Sequence, residues 1–193
     1  MISIREFTAA DGPATAEVRR ASWQAAYAGL IRQSLLDQAT ARPPGLFQPP
    51  PWRHTLVAVP DSDPAVVGYA SFGPERSLQA FLPVTPRAIA PAATGQASAS
   101  PGLTEAGLVG QVGEVYALYV APEWWSTGTG RSLMSCAVAA LTDAGYERSV
   151  LWVLAANARA RRFYEKAGWA SDGVSNVLEG LGGVVEVRYT RPL

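Results

Sequence analysis

The chain has one cysteine and one histidine in 193 residues, so an internal disulfide is excluded and no Cys/His set exists from which a zinc site could be built. Lys plus Arg and Asp plus Glu number 16 each. With no excess of either sign, no broad basic face is offered to nucleic acid. An apolar run of the roughly 18 residues that a membrane span needs is also missing, because Pro, Gly, Ser or Arg interrupts every Ala-rich stretch. The opening MISIREFTAA carries acid and base where a secretory leader would be apolar, which makes the cytoplasm the expected compartment. Metal, nucleic acid and membrane are therefore not expected partners.

What is present is an ordinary globular balance, 48% hydrophobic against 17% charged, in a length that suits one domain over residues 1–193. Ile2 to Phe7 alternates like a half-buried strand, and Asp11-Gly12-Pro13 turns into a helix from Ala14 to Gly29. On that helix Val18, Ala21, Ala25 and Ala26 form an apolar stripe, with Trp23 and Tyr27 four apart beside it. A second short helix is expected over Ser34 to Ala39, then a loop over Arg42 to Pro51, which holds five prolines. Thr55 to Val59 and Ala65 to Phe72 read as an antiparallel hairpin. Residues 74–110 shift to Ala, Pro, Gly, Ser and Thr without sustained periodicity, which marks an insertion.

Gly113 to Val120 reads as a strand, Arg131 to Ala144 as a helix, and Ser149 to Leu154 as a strand apolar on both faces. The intervening helix makes these two strands parallel. Asn157 to Ala167 is the next helix and Val184 to Tyr189 a last strand. The expected fold class is α/β: one mixed, mostly antiparallel sheet with a central parallel pair and helices on both faces. Cys136 falls at the margin of a helical stripe and is read as packing, and His54 stands alone.

Chemistry concentrates in Val120 to Ser132. Pro122 ends the strand, and the small residues Ser126 to Gly130 let the backbone turn tightly and approach a ligand. Because the turn opens a helix, unpaired N–H groups and the positive end of the helix dipole favour a phosphate or pyrophosphate there. Arg131 adds a cation. A P-loop needs glycine five residues before Gly130, where Trp125 stands, and lysine where Arg131 stands. A dinucleotide fingerprint needs glycine where Leu133 stands. Both fail.

The turn resembles that of the GNAT superfamily of N-acetyltransferases, V-x-P-x-x-[QR]-x-x-G-x-[GA]. Val120, Pro122, Gly128 and Gly130 match, whereas Trp125 replaces the usual Gln or Arg and Ser126 a common glycine. Leu151 to Trp169 (LWVLAANARARRFYEKAGW) is similar to the family's second block, and Ala21 to Leu30 to its first helix. The resemblance implies acetyl-coenzyme A as cofactor, a parallel pair splayed where it binds, and frequent homodimers. It implies transfer of acetyl to a primary amine of a small molecule or peptide by direct attack in a ternary complex. A non-catalytic acyl-coenzyme A sensor or scaffold is the alternative.

On this reading Trp125, Ser126, Thr127, Gly128, Thr129, Gly130, Arg131 and Ser132 hold the pyrophosphate. The main chain of Leu118, Tyr119 and Val120 meets the pantetheine arm and the oxyanion. Asn157, a natural N-cap, Ala160 and Phe163 complete the cofactor site. The resemblance makes Tyr164 the acid that protonates the departing sulfur; otherwise it belongs to a core stripe with Phe163. An amine with pKa near 10 is neutral in roughly one molecule in a thousand at pH 7, so a base is needed. Glu114, which shares a strand face with Tyr116 and Leu118, is the candidate; its plain alternative is a solvated strand carboxylate. Trp23, Tyr27 and Tyr116, with Trp52, are the aromatic candidates for the acceptor pocket.

Overall fold

The period-two run at the start becomes β1 (Ile2–Glu6), and a single 3-10 turn leads into α1 (Gly12–Tyr27). The computed structural model describes residues 1–41, 50, 52–76 and 112–193. The proline loop (apart from Pro50) and nearly all of the insertion lie outside them. The remaining elements are α2 (Gln33–Thr40), β2 (His54–Pro60), β3 (Gly68–Pro74), β4 (Val112–Val120), α3 (Thr129–Asp143), β5 (Arg148–Leu154), α4 (Ala158–Lys166), β6 (Ala170–Leu178) and β7 (Val184–Pro192). They form one sheet in the order β1-β2-β3-β4-β5-β7-β6. Every pairing is antiparallel except β4 with β5.

Alternation along the strands sends neighbouring residues to opposite faces. Val57 and Tyr69 pack with Val18 of α1, whereas Ala58 and Ala70 pack with Leu133, Met134, Ala137 and Leu141 of α3. Helices thus cover both faces. Leu133 and Leu141 are fully buried, each contributing about 1.5–3 kcal/mol of transfer free energy. No helix of the described residues is long and apolar enough to cross a membrane.

The structure differs from the expectation in two places. The buried stripe of α1 is Thr15, Val18 and Ser22, while Ala25 is exposed. Thr15 Oγ1 donates to Asp11 O at 3.0 Å and Ser22 Oγ to Val120 O at 2.7 Å, so two hydroxyls pack inward because each has an acceptor. The strand β6 has no clear sequence signature: nearly all its residues are exposed, and its register on β7 shifts between Ser171 and Ser175.

The start of α1 is tied to β1 through Asp11, which is 7% exposed. Arg5 Nη1 and Nη2 donate to its two oxygens at 2.7 Å each, and the Thr8 N–H and Oγ1 donate at 2.8 and 2.9 Å. These donors, Arg5 first, hold the Asp11 carboxyl far below the usual carboxylate range. A depressed folded value means that the contribution is complete above the unfolded pKa, near 4, and fades only as pH falls through the lower folded value. Asp11→Ala should cost about 2 kcal/mol, since the half-exposed Arg5 regains water. Thermal unfolding at pH 7 should therefore shift down by roughly 4–8 °C; an unchanged midpoint would count against this tie.

Candidate active site

The parallel pair separates halfway along its length. β4 and β5 pair only from Val112 to Val115 against Arg148 to Leu151, although β4 runs on to Val120 and β5 to Leu154. On its other edge β4 stays bonded to β3, with a bulge: Ser71 faces Ala117 and Phe72 faces Val115, leaving Tyr116 as the extra residue. A bulge bends the strand that carries it, and this one sits where the pair opens.

The open edge of β4 exposes particular main-chain groups. The N–H of Ala121 reaches Val67 O at 2.8 Å, so the carbonyl of the same peptide, Val120 O, points away from β3. There it accepts from Ser22 Oγ and Trp125 Nε1, each at 2.7 Å. Period-two alternation then turns the Leu118 N–H and C=O and the Val120 N–H toward the opening, and those of Tyr119 toward β3. The main chain of Leu118 and Val120 therefore faces the opening, whereas that of Tyr119 is turned to β3.

Beyond β4 a short 3-10 turn leads into the glycine-rich segment. Ser126 adopts φ +66° and Gly128 φ +96°, so Ser126 occupies a left-handed conformation that glycine enters without cost. The first bond of α3 runs from Ser132 N–H to Gly128 O at 3.0 Å, and no side chain caps the helix. The N–H groups of Thr129, Gly130 and Arg131 are therefore the orphan donors of this helix start, in the conformation that suits an anion. The Ser132 N–H is committed to that first bond, and Ser132 is not among the residues that line the cavity described below. The Thr127 hydroxyl bonds Trp124 O and the Thr129 hydroxyl, both at 2.8 Å, and Thr129 is buried; neither side chain faces the ligand space.

Trp125 stacks under Arg159, whose guanidinium carbon lies 3.9 Å from the ring centroid. The cation missing from position 125 is thus brought to the turn from α4. Arg159, Arg162 and Lys166 recur at helical spacing along that helix, so the basic row starts at the turn. Asn157 caps α4 by accepting from the Ala160 N–H at 3.0 Å through Oδ1. Its amide Nδ2 remains as a donor for a ligand carbonyl. Tyr164 lies 5.3 Å from Phe163 and 6.4 Å from Tyr189 between ring centroids. Burial, with a smaller influence from Tyr119, pushes the Tyr164 phenol well above its ordinary value.

One cavity of about 810 Å³ connects these parts. It is lined by Trp125, Ser126, Gly128, Gly130 and Arg131 at the turn, and by Leu118, Tyr119 and Val120 along the open strand edge. Asn157, Ala160, Phe163 and Tyr164 of α4 line it, and so do the expected acceptor aromatics Trp23, Tyr27 and Tyr116. Trp52 is not among its lining residues; it meets Tyr116 edge-on at 5.9 Å. His54 stacks on Phe72 beside a separate cavity of about 210 Å³.

Glu114 requires a correction. It is 1% exposed and absent from the cavity lining. The Arg76 N–H and Nε donate to its two oxygens at 2.9 and 2.8 Å. A buried carboxylate so engaged fixes Arg76, which does line the cavity, and turns its oxygens to that side chain rather than to the cavity. Among the described residues, the carboxylate that faces the cavity is Glu186 of β7. Its signal in the sequence was the lone acid among apolar residues in Val184-Val185-Glu186-Val187, visible only once β7 is seated beside β5.

A model described as the acetyltransferase (GNAT) family matches residues 16–169. A mycothiol acetyltransferase of Thermobispora bispora is 41% identical over 63 residues, 33% of this chain and 21% of that protein. One of Nocardiopsis dassonvillei is 44% identical over 59 residues, 31% and 18% of the two chains. The chain thus spans about a fifth of the length of the curated relatives it matches. Among solved structures, the PaiA N-acetyltransferase of Thermoplasma acidophilum in complex with coenzyme A gives a TM-score of 0.68 at 17% identity, over 100% of this chain and 99% of that one. A phosphinothricin acetyltransferase of Sinorhizobium meliloti in complex with AcCoA gives 0.62 at 18%, over 100% and 88%. At such identities the likeness is one of fold.

Proposed function

The chain belongs to the acetyltransferase (GNAT) family, and from that premise we propose that it transfers acetyl from acetyl-coenzyme A directly to a primary amine of a small molecule or peptide. The observation that carries this reading is the continuity of one cavity from the uncapped start of α3, along the open edge of β4, to Tyr164. The residues present fit acetyl-coenzyme A. The Thr129, Gly130 and Arg131 N–H groups and the Arg159 row suit its phosphates. Leu118 and Asn157 suit the amides of its pantetheine arm.

Acetyl-coenzyme A supplies the activated acyl group as a thioester. The amine must reach it deprotonated, its nitrogen forming the new C–N bond as the C–S bond breaks. The Leu118 and Val120 N–H groups, turned to the open edge of β4, are the donors we assign to the negative charge that develops on the acyl oxygen. Tyr164 delivers its phenolic proton to the sulfur, and the proton shed by the new amide restores the balance through solvent. The presence of Tyr164 in the lining of the same cavity favours this reading over a sensor that only binds.

A screen of amines for thiol release from acetyl-coenzyme A tests the proposal: release with at least one amine is expected. Binding of acetyl-coenzyme A without release from any amine would leave the sensor. The pH profile gives a second check. Because burial raises the Tyr164 phenol above its ordinary value of 10.0, it stays protonated across the working range, so kcat should rise as the amine is deprotonated and show no descending limb up to pH 10. A descending limb below pH 10 that persists in Tyr164→Phe would assign the acid to another group, whereas one that vanishes would keep Tyr164 as the acid and contradict only its raised phenol.

A further inference from the structure

The cavity has two chemically distinct ends. Of the cations that line it, Arg131, Arg159, Arg162 and Lys166 sit on the α3 start and the α4 row that leads from the turn, and Arg76 stands apart after β3. The far end, where α1 and α2 meet the turn between β6 and β7, carries Trp23, Tyr27, Ile31, Leu178 and Leu181. These belong to one apolar cluster with Leu36 and Leu154. Trp23 meets Tyr27 edge-on at 5.3 Å and Tyr119 at 6.5 Å. The β6–β7 turn that brings Leu178 and Leu181 there depends on consecutive glycines, Gly182 at φ +82° and Gly183 at φ +77°, a conformation other residues rarely adopt.

Into this aromatic end projects one carboxylate among the described residues, Glu186. It is half-buried, stands opposite Leu154 on β5 and Asn176 on β6, and accepts from Asn176 Nδ2 at 3.1 Å through Oε1. It lines the cavity together with Tyr27 and Arg76. Among the described residues, two cations border this end: Arg19, whose guanidinium carbon lies 4.7 Å from the Trp23 ring centroid, and Arg76, which lines the cavity and is neutralised by the buried Glu114.

Resting on the acetyl-transfer reading, we propose that the acceptor is a primary amine on an aromatic or similarly apolar body, of arylalkylamine type. Its ammonium docks on Glu186 and its ring lies against Trp23, Tyr27, Leu178 and Leu181. Glu186 takes one proton from the ammonium, leaving the nitrogen lone pair to form the C–N bond. Rings over a cation and a half-buried carboxylate are both favourable to an ammonium. A polyhydroxylated amine would leave its hydroxyls without partners among these apolar side chains, and an amino acid would bring its carboxylate toward Glu186. Both mismatches are strongly selected against in a site of this kind.

The test is a ranking of kcat/KM by thiol release from acetyl-coenzyme A for 2-phenylethylamine and tryptamine against glucosamine, spermidine and glutamate. The arylalkylamines should lead the polar amines by about a hundredfold or more; a lead by glucosamine, spermidine or glutamate would overturn the proposal. Glu186→Gln, nearly the same shape, should raise KM for 2-phenylethylamine by roughly tenfold or more with the Kd for acetyl-coenzyme A unchanged. It should also abolish the preference for 2-phenylethylamine over 2-phenylethanol as an inhibitor, whereas a retained preference would remove Glu186. Should no amine release thiol, the transfer reading fails on its own. Amine docking is then decided by titrating 2-phenylethylamine into the complex with coenzyme A: binding weakened by Glu186→Gln supports it, and no binding overturns it.

Discussion

Replacing Tyr164 by Phe should lower kcat by about a hundredfold or more, close to 2.7 kcal/mol of barrier, while the Kd for acetyl-coenzyme A changes by less than roughly twofold. The phenyl ring keeps the packing against Phe163 and Tyr189, so stability should hold and the loss should fall on the proton alone. Supporting this division, the Tyr164 phenol is held in its protonated form by burial, which suits a donor and disqualifies a base. The effect must be read by rapid quench or single turnover, because product release can mask chemistry. A single-turnover rate equal to that of the wild type would place Tyr164 in the core and out of the reaction.

The second large effect concerns the cradle. A Cβ built on Gly130 meets nothing closer than 3.7 Å, from Phe163 and Val120, and Gly130 lies within the first turn of α3. The fold should therefore accept a side chain, and leucine favours a helix. The branches beyond Cβ would enter the space that lies over the orphan N–H groups, separating any phosphate from its donors. Gly130→Leu should weaken acetyl-coenzyme A by roughly thirtyfold or more, about 2 kcal/mol, with a melting temperature within a few degrees of the wild type. A substitution that stabilises the helix yet destroys affinity is hard to explain unless the turn is the anion site. Equal affinity by calorimetric titration would move the phosphates elsewhere.

The parts of this site that the sequence disclosed are those written in backbone requirements. Gly128, Gly130 and Pro122 dictate a turn and a helix start whatever surrounds them, and the apolar runs of β4 and β5 flank a helix long enough to force a parallel pair. What stayed hidden depends on partners far along the chain. Glu114 reads as the candidate base from the strand pattern alone, because nothing in that pattern shows that Arg76, 38 residues away, holds both its oxygens. Glu186 became a candidate only through the seating of β7 beside β5, at a register that sets it opposite Leu154. Thr15 and Ser22 read as polar and yet define the buried face of α1, because hydrogen bonds to Asp11 O and Val120 O compensate their hydroxyls. β6 carries too little buried surface for its pattern to show.

Trp125 and Ser126, the two departures from the family's turn, also gain a physical meaning. Ser126 supplies by itself the left-handed conformation that glycine would adopt more readily. Trp125 closes the strand end through Val120 O and carries Arg159 on its face, so a cation still stands beside the turn. The cradle is preserved by different side chains.

The most direct test of a coenzyme A site at this turn is a ¹H–¹⁵N correlation spectrum of the protein recorded with and without acetyl-coenzyme A. The orphan N–H groups of Thr129, Gly130 and Arg131, with those of Leu118 and Val120 on the open edge of β4, should show the largest shifts. Unmoved signals at these five amides, with the largest shifts instead around Glu6, Arg53 and His54 at the smaller cavity, would contradict it.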